Sequence, residues 1–156
     1  MNNIVASYDN LLGPSIDPRG TNYCGPAVVN SSGNSASISA YGSEQIAGLC
    51  VRLEASGLAL NRFAMFLNSQ TQGLVMPPGS QGNICLGGAI GRYRLDILPT
   101  GASGSVALAL DLKDTPTPTG PDSIQPGQTW QFQLWFRDQN PANTSNFTDA
   151  VSITFQ

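Results

Sequence analysis

The stretch Thr129-Trp130-Gln131-Phe132-Gln133-Leu134-Trp135-Phe136-Arg137 alternates without a break. Trp130, Phe132, Leu134 and Phe136 fall on one side; Gln131, Gln133, Trp135 and Arg137 fall on the other. Side chains of a strand point alternately to its two faces, so this period of two predicts a strand with one face in a core. The same signature spreads outward through Ala36–Tyr41, Ile46–Ala55, Arg62–Ser69, Ile84–Leu86, Tyr93–Leu98, Ser105–Leu112 and Ala150–Phe155. The predicted core is the apolar side of these strands. It comprises Leu49, Val51, Leu53, Phe63, Met65 and Leu67, then Val106, Leu108 and Leu110, then Trp130, Phe132, Leu134 and Phe136, and finally Val151, Ile153 and Phe155.

Gly, Pro and Asn clusters separate the strands, as in Met76-Pro77-Pro78-Gly79 and in the Lys113–Gly127 loop with its four prolines. No helix-length window repeats apolar residues at helical spacing; one helical turn is expected at Gly42–Ala47. The expected fold is all-β: a single antiparallel β-sandwich over residues 21–156, wired as a jelly roll or an Ig-like Greek key. Residues 1–20, rich in turn chemistry from Gly13 to Gly20, read as a linker or an extended N-terminal arm.

Composition narrows the function. In 156 residues there are 7 Lys+Arg, 10 Asp+Glu and no histidine, so charged residues are 11% against a usual ~25%. No basic stripe exists to neutralise phosphates, which argues against nucleic acid. Without histidine, Ser-His-Asp, Cys-His and His-ligated metal chemistry are excluded. No apolar run reaches the ~18 residues of a membrane span. The start, Met1-Asn2-Asn3-Ile4-Val5, does not read as a signal peptide. A surface built from Ser, Thr, Asn and Gln suits a secreted module, extracellular or at the cell surface. The three cysteines, Cys24, Cys50 and Cys85, match no zinc spacing and read as one disulfide and one spare thiol.

Longer motifs carry a resemblance. They are Gly20-Thr21-Asn22-Tyr23-Cys24, the run Phe66–Gly73, the run Pro78–Gly88, Leu110-Asp111-Leu112, Thr129–Asp138 and Ser145–Phe155. From Gly20 to Phe155 the chain resembles a β-rich module that recurs at the C-terminal end of large secreted bacterial proteins. The resemblance implies an extracellular domain appended to varied parent domains, with no assigned activity. It also implies cysteines at the positions of Cys24 and Cys85, whereas Cys50 falls where that module has a non-cysteine strand residue. Cys24 and Cys85 each sit where turn residues meet a short apolar piece, and Cys50 lies within an alternating strand. The expected bridge is therefore Cys24–Cys85, with Cys50 free.

Two candidate sites follow. Trp135 among Gln131, Gln133 and Arg137 suits a sugar: the ring stacks on a pyranose face while the amides and the guanidinium meet hydroxyls. The structural alternative is a Trp135 covered by a loop with Arg137 stacked on it. Asp111, Asp114 and Asp122, beside the proline loop, are the candidate ligands of a structural calcium ion. Their alternative role is to accept hydrogen bonds from turn amides. No other cofactor is expected. Glu44 and Glu54 form no marked acid/base pair, so a hydrolase is the weakest reading. The expected function is a non-catalytic accessory module that binds polysaccharide. The competing expectation is an attachment module joining a cell-surface component or another protein through a sheet edge or the arm.

Overall fold

The computed structural model of the chain describes residues 17–48 and 51–156. The fold is an all-β antiparallel sandwich. A six-stranded sheet carries β1 (Thr21–Tyr23), β11 (Asn143–Thr154), β10 (Thr129–Gln139), β4 (Phe63–Ser69) and β7 (Gly91–Arg92) in that order, with β8 (Leu98–Pro99) also on β4. Facing it is a three-stranded sheet of β2 (Ser37–Gly42), β3 (Val51–Ser56) and β9 (Val106–Leu110). A separate hairpin pairs β5 (Thr71–Val75) with β6 (Ile84–Gly87). One turn of 3-10 helix, Ile46–Gly48, stands where the helical turn was expected. Among the described residues no helix is long and apolar enough to cross a membrane.

The main core lies between the two sheets. Ile38, Leu53 and Leu110 from one sheet meet Phe66, Phe132, Leu134, Phe136 and Ile153 from the other. The central strand reads as its alternation predicts: Trp130, Phe132, Leu134 and Phe136 are all buried in this layer. Leu49 and Cys50 lie outside the described residues, as does the arm before Asp17.

On β4 the predicted face is reversed. Ala64 and Phe66 enter the main core, while Phe63, Met65 and Leu67 point to the outer side of the six-stranded sheet. Phe63 is 60% exposed, which corrects its assignment to the core. Leu67 is buried in a second cluster with Leu86 and Phe147, and Met65 is half-buried against it. Both faces of β4 are largely apolar, so hydrophobicity alone does not select the inner one. Leu108 is also only half-buried, on the edge strand β9. The apolar piece Tyr93–Leu98 is mostly a turn between β7 and β8, with Leu95 99% exposed.

The sandwich is sewn shut along one side. Arg19 bridges Ala40 of β2, and two residues later Thr21 pairs with Ser152 of β11. Gly20 makes the change of sheet at φ 74°, where a Cβ would run into the Ser152 carbonyl. Asp149 then ties three strands: its Oδ1 accepts from Ile38 N at 2.8 Å and its Oδ2 from Asn22 Nδ2 at 3.0 Å. Burial pushes this carboxyl above its ordinary pKa despite those hydrogen bonds. The Cys24–Cys85 disulfide joins the segment after β1 to β6, as expected. Tyr23 lies alongside it. Its hydroxyl donates to the Cys85 carbonyl at 2.8 Å, and burial pushes its pKa up to about 12.

Candidate binding cleft

The outer face of β10 carries the residues singled out for sugar recognition, and the structure divides them. Gln133 is fully buried beneath the β5–β6 hairpin. Its Nε2 donates to Thr148 O at 2.7 Å and to Asn83 O at 3.0 Å; its Oε1 accepts from Cys85 N at 2.8 Å. Gln131, 4% exposed, accepts from Gln72 Nε2 at 3.5 Å. The expected solvent face is therefore a second interior layer at this end of the strand. Both amides are engaged within the fold, and Gln133 acts as a clamp that holds β6 against the sheet. An alternating amide reads the same in sequence whether water or a hairpin covers it.

Trp135 and Arg137 lie further along β10, where the hairpin cover ends. Trp135 is half-buried and packs against the cluster of Leu67, Leu86 and Phe147. Arg137 is exposed, its guanidinium carbon 5.3 Å from the centre of the Trp135 ring. A bulge in β11 builds this arrangement: the register slips between Gln133 and Trp135, so that Phe147 faces Trp135 on the outer side.

Arg137 also lines a cleft of about 270 Å³ with Asn61, Arg62, Phe63, Asp138, Asn143 and Thr144. Asn61 holds φ 54°, which turns the chain into β4, and its N–H donates to Gly101 O at 2.8 Å. Arg62 N donates to Thr100 Oγ1 at 2.8 Å, and its Nη2 reaches Gln139 Oε1 at 3.1 Å. The Asp138 carboxylate is turned away: it accepts from the backbone and hydroxyl of Ser31 and from Gln139 N. The cleft thus offers an exposed aromatic ring, two guanidiniums and two amides, while the Thr144 hydroxyl donates to Gly79 O at 3.1 Å and the one lining carboxylate is already engaged. Such a lining suits stacking and multiple hydrogen bonds. Sequence reasoning missed Phe63 because its alternation looked like core.

The structure does not gather the three candidate calcium ligands. Asp111 Oδ1 accepts from Lys113 N at 3.0 Å and Asp122 Oδ1 from Ser123 N at 2.8 Å, the turn role. Asp114 instead lines a larger cleft of about 460 Å³ with Arg92, Arg94, Asp96 and the loop prolines. Among the described residues no three Cys, Asp or Glu side chains cluster as a metal would require.

Comparison with protein-family models finds no match, and comparison with curated proteins finds none either.

Proposed function

We propose that the chain is a non-catalytic accessory module of a secreted bacterial protein, and that it binds polysaccharide through the cleft at Phe63. The observation that carries this reading is the Phe63 ring, 60% exposed among Asn61, Arg62, Arg137, Asn143 and Thr144. What supports the reading is the setting of the ring, an apolar face bordered by amides and guanidiniums in one cleft. A pyranose presents one apolar CH face and a rim of hydroxyls, the complement of a ring bordered by amides and guanidiniums. The disulfide supports an oxidising compartment, and the resemblance to a recurring secreted module supports the accessory role. Attachment to another protein is the second reading. It is favoured by the exposed Leu74, Val75 and Met76 at the free side of the hairpin.

Affinity electrophoresis through gels containing soluble polysaccharides tests the first reading. The panel comprises galactomannan, mixed-linkage β-glucan, xylan, dextran and polygalacturonate. Wild type should be retarded in at least one gel. Phe63→Ala should weaken that binding by about tenfold or more. It should leave thermal stability within about 0.5 kcal/mol, because the ring is mostly in water. Absence of retardation in every gel, or retention unchanged in Phe63→Ala, would turn the assignment towards attachment.

A further inference from the structure

The outer face of the three-stranded sheet carries a second groove, about 390 Å³, on the side of the molecule opposite the Phe63 cleft. Strand register sets out its floor in rows. Tyr41, Arg52 and Ala109 stand side by side; Ser39, Glu54 and Ala107 form the next row; Ser37 and Ser56 the third. Adjacent rows on one face are ~7 Å apart and neighbouring strands ~4.8 Å. The alanines of β9 are low, so the floor steps down beside the taller side chains of β2 and β3. Arg52 Nη2 and Glu54 Oε1 pair at 3.1 Å with both side chains about half in water, which leaves the groove without net charge. Among the described residues, the hydroxyls of Ser37, Ser39, Ser56 and Tyr41 make no hydrogen bond within the fold.

We propose that this groove is a second polysaccharide site, for an uncharged chain, and that the module cross-links two polysaccharide strands through its opposite faces. The inference rests on the carbohydrate reading of the Phe63 cleft. The chemistry selects the occupant. A charged polymer would gain nothing from a self-neutralised Arg52–Glu54 pair, and a protein interface core would be more apolar than serines and alanines. A neutral chain of hydroxyls finds both donors and acceptors here, with Tyr41 as the one aromatic face. The two sheets pack through the main core, so the two sites point in opposite directions and a stiff chain on one does not reach the other. Two sites linked rigidly in this way convert modest single-site affinities into network formation.

The test uses the full chain with soluble galactomannan and mixed-linkage β-glucan, read by affinity electrophoresis and by light scattering of the mixture. Wild type should be retarded and should raise scattering as protein is added. Tyr41→Ala and Phe63→Ala should each abolish the rise in scattering while keeping weakened retardation; the double variant should lose both. Ser39→Arg, which fills the groove and removes nothing from the core, should behave as Tyr41→Ala does. If both groove variants scatter like wild type while Phe63→Ala loses all binding, the second site is overturned and the first stands. If wild type binds neither polymer but binds polygalacturonate, the neutral groove falls and the Phe63 cleft is kept. Scattering that rises without polymer and vanishes in Ser39→Arg would identify the groove as a contact between copies of the chain, also overturning the proposal.

Discussion

At the scale of the residue, Gln133 shows how one side chain changes role with its cover. Its amide makes three hydrogen bonds to backbone groups of Asn83, Cys85 and Thr148, with no exposed surface of its own. Truncation would leave these backbone groups unpaired in a dry layer, at about 1–3 kcal/mol for each that water cannot reach. Gln133→Ala is therefore expected to destabilise the protein by about 3 kcal/mol or more in chemical denaturation. At temperatures where it stays folded it should bind polysaccharide as wild type does. Gln133→Glu should also destabilise, because a carboxylate cannot donate to Thr148 O and Asn83 O. A Gln133→Ala protein of unchanged stability and lost binding would restore this residue to the ligand site.

At the scale of the element, the β5–β6 hairpin is the part of the fold that most needs outside support. It forms its own two-stranded sheet, and an isolated hairpin is marginal in water. Its attachments include the Gln133 clamp, the apolar contacts of Leu86 with Leu67 and Phe147, hydrogen bonds from Tyr23 and Ser69 to β6 carbonyls, and the disulfide to Cys24. The bridge closes a loop with sequence separation 61, worth about 4 kcal/mol in the chain-entropy treatment. Replacing both cysteines by serine should lower stability by about 2–4 kcal/mol. Hydrogen exchange should quicken first in residues 21–35 and 84–87, before the central strands β10 and β4 respond. Uniform quickening across all strands would mean that the hairpin and the sandwich open as one unit.

At the scale of the whole molecule, the absence of histidine removes the usual neutral-pH titration. Three groups with raised pKa values each lose stabilising effect as the pH rises. For Asp149 the folded state holds the proton more tightly than the unfolded chain does, so its contribution falls as pH rises above the ordinary value of 3.8. Tyr23, held up to about 12 by burial, and Tyr93, raised further by deeper burial, behave in the same sense at the alkaline end. Above the ordinary 10.0 the unfolded tyrosines ionise first, and that favours unfolding. The melting temperature should therefore fall beyond pH 10. The fall should be shallower in Tyr23→Phe and in Tyr93→Phe. Parallel alkaline limbs in wild type and both variants would show that other groups govern the loss.

The all-β class, the strand at Thr129–Arg137 and the identity of its core face follow from local alternation, because one side of that strand is wholly apolar and the other is not. Turn chemistry marked most of the breaks between strands. The Cys24–Cys85 pair was also legible, from turn-edge placement together with the resemblance to a secreted module. Tertiary structure decided the rest. β4 is apolar on both sides, so only the packing of two sheets and a hairpin determines that Phe66 faces in and Phe63 faces water. Gln131 and Gln133 look like surface residues until the hairpin covers them. The extra residue of the β11 bulge, which aims Phe147 at Trp135, leaves no mark in the alternation. Alternation reports which side chains share a face of one strand; which face is covered, and by what, depends on contacts between segments far apart in the chain.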